Sequence, residues 1–136
     1  MKRIANATWK GGLKDGQGTF SVASGTITNQ SVTFRTRFED APGTNPEELI
    51  AAAHASCFSM AFSAQLGNRQ VTPASIDTTC TITFENGTLT KSLLQTTVRA
   101  AGAAKATVEE AAAAAKAGCP ISKVLNLQVE LELTVA

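Results

Sequence analysis

The 136-residue chain has the length of one ordinary domain, with 43% apolar and 17% charged residues and a net charge of +1, which is typical of a folded globular protein. Twelve basic residues balance eleven acidic ones, so we expect no nucleic-acid partner. No segment approaches the roughly 18 apolar residues of a membrane span, and the N-terminus lacks the apolar stretch of a secretory signal. We therefore predict a single domain, residues 1–136, in the cytoplasm, with no membrane partner.

The first 38 residues predict short strands joined by glycine-containing turns. Candidate strands cover residues 4–10, 19–22 and 26–28. Apolar and polar side chains then alternate over residues 32–38, with Arg35 and Arg37 on one face. This period of two predicts a further strand.

A long helix follows. Asn45 is a good N-cap, Pro46 suits the first helical position, and Glu48 stands where a capping box needs an acid. Residues 47–66 contain no Gly or Pro, and little charge beyond the first turn. A helix that is apolar nearly all round must be buried on most sides, which indicates that a second chain supplies part of its cover.

The remaining elements are a hairpin, a second helix and a last strand. Asn86-Gly87 predicts a two-residue hairpin turn. A capping box at Thr107 and Glu110 predicts the start of the second helix, which ends at Gly118. After Pro120 we expect a short helix at most, and then an alternating strand over residues 129–135. This order predicts an α+β fold with a mostly antiparallel sheet and a long buried central helix.

Three cysteines in a chain without an export signal indicate reduced thiols rather than a disulfide framework. Cys80 falls on the apolar face of a predicted strand, where a cysteine behaves as a small hydrophobic residue. Cys57 lies midway along the long helix. Cys119 stands between Gly118 and Pro120, where backbone geometry rather than packing is specified.

These residues leave several chemistries open. His54 and Cys57 are three apart on one helix face, but zinc needs three or four ligands and no CxxC pair exists, so we expect no metal and no cofactor. A Cys–His hydrolase needs an oxyanion hole and an orienting group, which nothing marks. We therefore interpret His54 as a polar side chain on a helix that is otherwise packed.

A two-cysteine redox cycle needs fewer parts. One thiolate, with its pKa lowered by a cation, attacks a peroxide and becomes a sulfenic acid, which a second thiol converts to a disulfide. Cys57 and Cys119 can fill the two thiol roles, and Arg35 or Arg37 can supply the charge. Spacing alone does not prove this cycle.

Three segments of the sequence match a known family pattern. Residues 36–39, residues 43–60 around His54-Ala55-Ser56-Cys57, and residues 116–125 around Gly118-Cys119-Pro120 closely resemble the OsmC branch of the OsmC/Ohr family. The likeness runs over essentially the whole chain. It implies an OsmC-like fold, an intertwined homodimer with active sites at the interface, and a cytoplasmic peroxidase. The expected substrates are organic hydroperoxides and, less well, hydrogen peroxide.

The same resemblance implies residue roles. Cys57 would be the peroxidatic thiol and Cys119 the resolving one, while Arg37 would hold the thiolate and Glu47 would orient the guanidinium. The resemblance also implies a dithiol reductant, either a dihydrolipoyl group or a protein. The alternative is a non-enzymatic redox sensor or stress-binding protein on the same fold, which uses the cysteine pair as a switch.

Helix geometry bears on the dimer. Glu47 and Cys57 are ten residues apart on one predicted helix, about 15 Å along its axis, so they cannot share a site within one chain if the helix is continuous. Two copies of the helix that cross antiparallel near residue 52, over Ala51-Ala52-Ala53, would bring them together. Near the sulfur stand three apolar side chains that predict an apolar-walled substrate site: Phe58, Met60 and Phe62.

Overall fold

The computed structural model describes residues 1–136 and contains two three-stranded sheets and four helices. The predicted α+β class is confirmed. The chain forms two compact units, Met1–Leu49 and Ile50–Ala136, and the single-domain assignment stays a prediction.

The N-terminal unit is a small antiparallel sheet followed by a short helix. Its strands are β1 (Ala5–Lys10), β2 (Gln17–Val22) and β3 (Gln30–Val32), in the order β1-β2-β3. The strand predicted over residues 26–28 is wrong, because this segment is a bend and the third strand begins at Gln30. None of the fully buried apolar side chains belongs to this unit.

Residues 34–38 form a helix, α1 (Phe34–Phe38), and the strand predicted there is wrong. The physical reason is a reciprocal cap: the Thr33 hydroxyl accepts from the Thr36 backbone N–H at 3.2 Å, and the Thr36 hydroxyl accepts from the Thr33 N–H at 3.0 Å. These two hydrogen bonds satisfy backbone N–H groups that, in a strand, would need an acceptor on a neighbouring strand. The helix turn decides where Arg37 points.

The long helix α2 spans Pro46–Gly67 without interruption. The Asn45 side chain accepts from the Glu48 N–H at 2.8 Å, as an N-cap does. The Glu48 carboxylate accepts from the Thr44 hydroxyl at 3.1 Å, where a capping box would have it accept from the Asn45 N–H. Local signals therefore determine where this helix begins.

Within one chain, α2 buries only a stripe. The buried residues recur every fourth position, and Met60 on another face is 76% exposed. The stripe consists of His54, Phe58, Phe62 and Leu66. A single chain therefore does not bury α2 on most of its sides. That α2 is a long buried central helix stays a prediction, which would require a second chain.

By length and composition, α2 is also apolar enough to cross a membrane, contrary to the expectation from the sequence. That expectation rested on a count of consecutive apolar residues. The mean hydropathy of this alanine-rich helix stays high although serines and one histidine interrupt the apolar residues. Core helices of soluble proteins meet the same criterion, so the observation is weak evidence for a membrane span.

The C-terminal unit holds the second sheet. Strands β4 (Ser75–Glu85) and β5 (Thr88–Arg99) form the predicted hairpin, with Asn86 and Gly87 at positive φ values of 49° and 76°. The last strand, β6 (Gln128–Val135), pairs with β5 in parallel. The parallel pairing was not predicted; it requires a crossover between the two strands, which the intervening helices provide.

Those helices are α3 (Lys105–Gly118) and α4 (Pro120–Val124). The capping box predicted at Thr107 and Glu110 is wrong, since α3 begins two residues earlier, after Ala104, without a side-chain cap. Side chains from α2, β5 and α3 form one buried cluster, which includes Phe58, Phe62, Leu66, Leu94, Val98, Val108, Ala111, Ala112, Ala115 and Cys119.

Candidate active site

Two cysteines from distant parts of the C-terminal unit meet. The Sγ atoms of Cys57, on α2, and Cys119, at the joint between α3 and α4, lie 3.0 Å apart. The Cys119 N–H donates to the Ala115 carbonyl at 2.8 Å and ends α3, while Pro120 starts α4. Both thiols are free; Cys119 is fully buried and Cys57 is partly buried. The structure therefore joins the two cysteines that the sequence singled out.

The two sulfurs differ electrostatically. Burial and the neighbouring Cys119 raise the pKa of Cys57, against a lowering by the Ile121 backbone N–H. Burial also acts to raise the pKa of Cys119, but hydrogen bonds outweigh it and lower that pKa. Hydrogen bonding with Cys57 is the largest of the effects that lower it. In the neutral pair Cys119 donates to Cys57; once Cys119 ionises, the direction reverses. The surroundings of Cys57 in this unit thus disfavour its thiolate.

The predicted cation and its acidic partner meet in the N-terminal unit. The Glu47 Oε1 atom accepts from Arg37 Nη2 at 2.8 Å and from Arg37 Nε at 3.1 Å, and the Glu47 side chain is only 13% exposed. The alternative cation, Arg35, instead pairs with Glu39 at the surface. Of the two arginines, Arg37 is thus the one held by a largely buried carboxylate. Its role at a sulfur stays a prediction.

His54 has a role that the sequence did not reveal. It is fully buried, its Nδ1 lies 2.7 Å from Ser92 Oγ and its Nε2 lies 2.7 Å from Ser122 Oγ. Burial lowers the pKa of the imidazole, so the ring is neutral at pH 7. Sequence reasoning missed both serines; the position of Ser122 in the first turn after Cys119-Pro120 was the one available signal.

Cys80 fits the small-hydrophobe interpretation. It is partly buried, packs against the core and lies 3.2 Å from Ser92 Oγ, and burial raises its pKa. No group of three or more His, Cys, Asp or Glu side chains that could hold a metal ion is present.

The apolar wall predicted beside Cys57 needs correction. Phe58 and Phe62 are fully buried core residues, because both fall on the stripe that faces the core, and only Met60 is exposed. An apolar cavity of about 380 Å³ lies instead within the N-terminal unit beside Arg37. It is lined by Trp9, Leu13, Val32, Thr33, Phe34, Arg37, Phe38 and Pro46.

An α+β fold with two reduced cysteines in contact is that of a dithiol redox protein. A family model described as OsmC-like protein matches residues 38–134. The chain is 45% identical to Peroxiredoxin OsmC of Escherichia coli (strain K12) over 136 residues, which cover 97% of this chain and 95% of that protein. The chain therefore belongs to the OsmC-like family, and the resemblance to its OsmC branch is confirmed.

Solved structures share the fold at low identity. An OsmC-like protein from Mycoplasma pneumoniae is similar with a TM-score of 0.77 at 13% identity, over 100% of this chain and 98% of that one. An organic hydroperoxide resistance protein from Legionella pneumophila is similar with a TM-score of 0.68 at 22% identity, over 100% of this chain and 97% of that one.

Proposed function

We propose that this chain, a peroxiredoxin-type thiol peroxidase that acts on hydroperoxides, works by a two-cysteine cycle. The predicted class and reaction are confirmed by the relationship to Peroxiredoxin OsmC; the residue roles are our proposal. The observation that carries it is the 3.0 Å separation of the Cys57 and Cys119 sulfurs. A small rearrangement suffices to join thiols that already touch.

The cycle has three steps. The Cys57 thiolate attacks the terminal oxygen of the hydroperoxide, the O–O bond breaks, and the alkoxide leaves as an alcohol while Cys57 becomes a sulfenic acid. The Cys119 thiolate then attacks the Cys57 sulfur and displaces hydroxide. An external dithiol finally reduces the disulfide by exchange.

Cys57 needs a cation for the first step, because its surroundings in the C-terminal unit raise its pKa. We assign this role to Arg37, oriented by Glu47. Since α2 is continuous and Glu47 precedes Cys57 by ten residues, about 15 Å along the helix axis, the arginine would come from the partner of a homodimer. Antiparallel crossing of two α2 helices at Ala51-Ala52-Ala53 would bring the groups together.

Unsatisfied apolar surface supports the homodimer. Met60 on α2 is 76% exposed, and the three-stranded sheet of the N-terminal unit has no fully buried apolar side chain of its own. A sheet this small needs another layer to cover one face. An intertwined pair would supply that cover and bury the central helix on more sides.

The apolar cavity beside Arg37 supports a preference for organic hydroperoxides. Most of its lining side chains are apolar, including Trp9, Leu13 and Phe34. We propose that the alkyl or aryl part of the substrate occupies it, which hydrogen peroxide cannot do. The reductant would be a dihydrolipoyl group or another dithiol. A cytoplasmic location, where thiols stay reduced, belongs to the same proposal.

Turnover separates this function from a redox switch. Cumene hydroperoxide and excess dihydrolipoamide should give many equivalents of alcohol per chain, in proportion to time. A non-enzymatic sensor would give a single equivalent and stop, and that result would overturn the catalytic cycle.

A further inference from the structure

The indole ring of Trp9 covers two glycines of the N-terminal unit. In the pairing of β1 with β2, Trp9 lies opposite Gly18, and a Cβ atom at position 18 would stand 2.6 Å from Trp9 Cε3, too close for two carbon atoms. A Cβ atom at Gly16 would stand 2.8 Å from Trp9 Nε1. Both glycines are buried. The ring therefore occupies space that two side chains would otherwise fill.

A hydrogen bond fixes the rotation of the same ring. The Trp9 Nε1–H group donates to the Gly11 carbonyl at 3.2 Å. Gly11 has a φ of 92°, which glycine adopts without strain, and the Gly16 N–H donates to the Gly12 carbonyl at 2.8 Å and closes the loop. The loop backbone thus holds the indole in place before any ligand arrives, which lowers the entropic cost of binding.

The other side of the ring is open. Trp9 is 43% exposed although it covers two glycines, and it lines the apolar cavity of about 380 Å³ beside Arg37. Neither Gly16 nor Gly18 lines that cavity. The side of the indole that borders the cavity is therefore not the side that covers the glycines, and a ligand in the cavity would meet an aromatic face of fixed position.

Further aromatic side chains line the same cavity. Phe34 and Phe38 lie there with ring centroids 4.9 Å apart and ring planes tilted by 44°, and Arg37 Cζ lies 5.2 Å from the Phe38 centroid. Three of the seven aromatic residues of the chain thus line one cavity. Aromatic rings attract one another in offset or edge-to-face arrangements beyond the effect of the buried area, so this lining favours a flat, unsaturated ligand over a saturated one.

We propose that Trp9 is a specificity-determining residue, whose open face binds the aryl group of an aromatic hydroperoxide. This inference rests on the proposed peroxidase function and names the class of organic hydroperoxide that the same cavity takes. Phe34 and Phe38 would contact the bound ring as well, and the peroxide group would lie toward the Arg37 guanidinium. An alkyl hydroperoxide fills the cavity without the aromatic pairing and therefore binds more weakly.

The first test measures binding without turnover. Trp9 is the only tryptophan and the chain has no tyrosine, so tryptophan fluorescence reports on this cavity. Cumyl alcohol, the product of cumene hydroperoxide, should change the Trp9 emission in a saturable manner. Its saturated counterpart, 2-cyclohexyl-2-propanol, should need a concentration several-fold higher. No saturable change with cumyl alcohol, or equal half-saturation by the two alcohols, would overturn the proposal.

The second test measures specificity as the ratio of kcat/KM for cumene hydroperoxide to kcat/KM for tert-butyl hydroperoxide. Trp9→Leu keeps the lining apolar but removes the ring, and it should lower this ratio about fivefold, as expected for loss of one aromatic pair. Trp9→Phe should retain most of the ratio. A merely structural role would reduce both rates together and leave the ratio unchanged, and that result would contradict the proposal.

The third test displaces the ring without removing it. Gly18→Ala should lower the same ratio, because its methyl group needs the space of Trp9, whereas Gly67→Ala, with nothing within 4 Å of the added carbon, is the matched control. Added to Trp9→Leu, Gly18→Ala should lower the ratio no further; effects that add would overturn the proposal. If the parent chain reduced neither hydroperoxide, the proposed function would fail, while fluorescence would still show whether Trp9 binds an aryl group.

Discussion

The sulfurs of Cys57 and Cys119 lie 3.0 Å apart although 62 residues separate them in sequence. The contact depends on α3 ending where it does, because Cys119 closes the last turn of α3 and precedes Pro120 at the start of α4. At this joint hydrogen bonding outweighs burial and lowers the pKa of Cys119, whereas burial raises the pKa of Cys57. The surroundings of Cys57 in its own unit therefore disfavour its thiolate, although Cys57 is the predicted peroxidatic residue.

This asymmetry predicts that Cys57 is activated in trans. Chains with Arg37→Met and chains with Cys57→Ser should each be inactive as homodimers. Mixed dimers should regain activity, because the chain with Cys57 receives Arg37 from its partner. Peroxidase rate is measured after the two variants are unfolded together and refolded.

Arg35→Met, on the same short helix, is the matched control for Arg37→Met. Since Arg35 pairs with Glu39 at the surface, its loss should leave the rate unchanged. Mixed dimers without activity would show that Arg37 serves the cysteine of its own chain or none.

The cavity beside Arg37 predicts substrate preference. Leu13→Asp places a charge on its lining, which should raise KM for cumene hydroperoxide several-fold because burying an aryl group against a carboxylate is unfavourable. The KM for hydrogen peroxide should stay the same. Leu13→Met keeps the lining apolar and serves as the control; a parallel rise of both KM values in Leu13→Asp would argue against a binding role for the cavity.

The cap of α1 predicts a stability effect with a functional consequence. Thr33→Ala removes the hydroxyl that accepts from the Thr36 N–H and should lower the free energy of unfolding by about 1 kcal/mol. The peroxidase rate should fall too, since α1 carries Arg37. Urea unfolding and steady-state rates measure the two effects. Thr33→Ser retains the hydroxyl and is the control. If Thr33→Ser lost as much stability and activity as Thr33→Ala, the cap would be ruled out as the cause.

Buried His54 predicts acid sensitivity. Its pKa in the folded chain is lowered from 6.5 by burial, so below that value the unfolded chain binds a proton that the folded chain does not. The free energy of unfolding should therefore be level above about pH 6.5 and fall as the pH drops below it, by at most about 1.4 kcal/mol per pH unit. His54 is the only histidine.

The test compares urea unfolding of the parent chain and of His54→Leu between pH 5 and 7.5. The fall should be absent from His54→Leu, which has no imidazole to titrate. An equal fall in both proteins would assign the acid sensitivity to carboxyl groups instead.

Features fixed by neighbouring residues could be predicted from the sequence. The start of α2 follows from Asn45 and Pro46, and the hairpin follows from Asn86-Gly87, because each depends on backbone geometry within a few residues. Over residues 34–38, alternation fits a strand as well as a short helix, and the hydrogen bonds of Thr33 and Thr36 decide between them. This segment is too short for its pattern of apolar residues to distinguish a strand from a helix.

The contacts of His54 could not be predicted, because they depend on tertiary structure. Ser92 and Ser122 look like ordinary polar residues of a strand and a short helix, and nothing local indicates that both hydroxyls meet one imidazole. Likewise, family pattern singled out Cys57 and Cys119, but the distance between them required the fold. The exposed surface of α2 was anticipated from its composition, since a helix that is apolar all round needs more cover than one small chain provides.

The most direct test of the two-cysteine cycle is the mass of the protein after one equivalent of cumene hydroperoxide, followed by peptide mapping without reduction. The two-cysteine cycle predicts a loss of two hydrogens and a single cross-linked pair of peptides that contain Cys57 and Cys119, with Cys80 unmodified. In Cys119→Ser, Cys57 should instead gain one oxygen. A stable oxygen on Cys57 in the parent chain, or a disulfide that involves Cys80, would contradict the cycle.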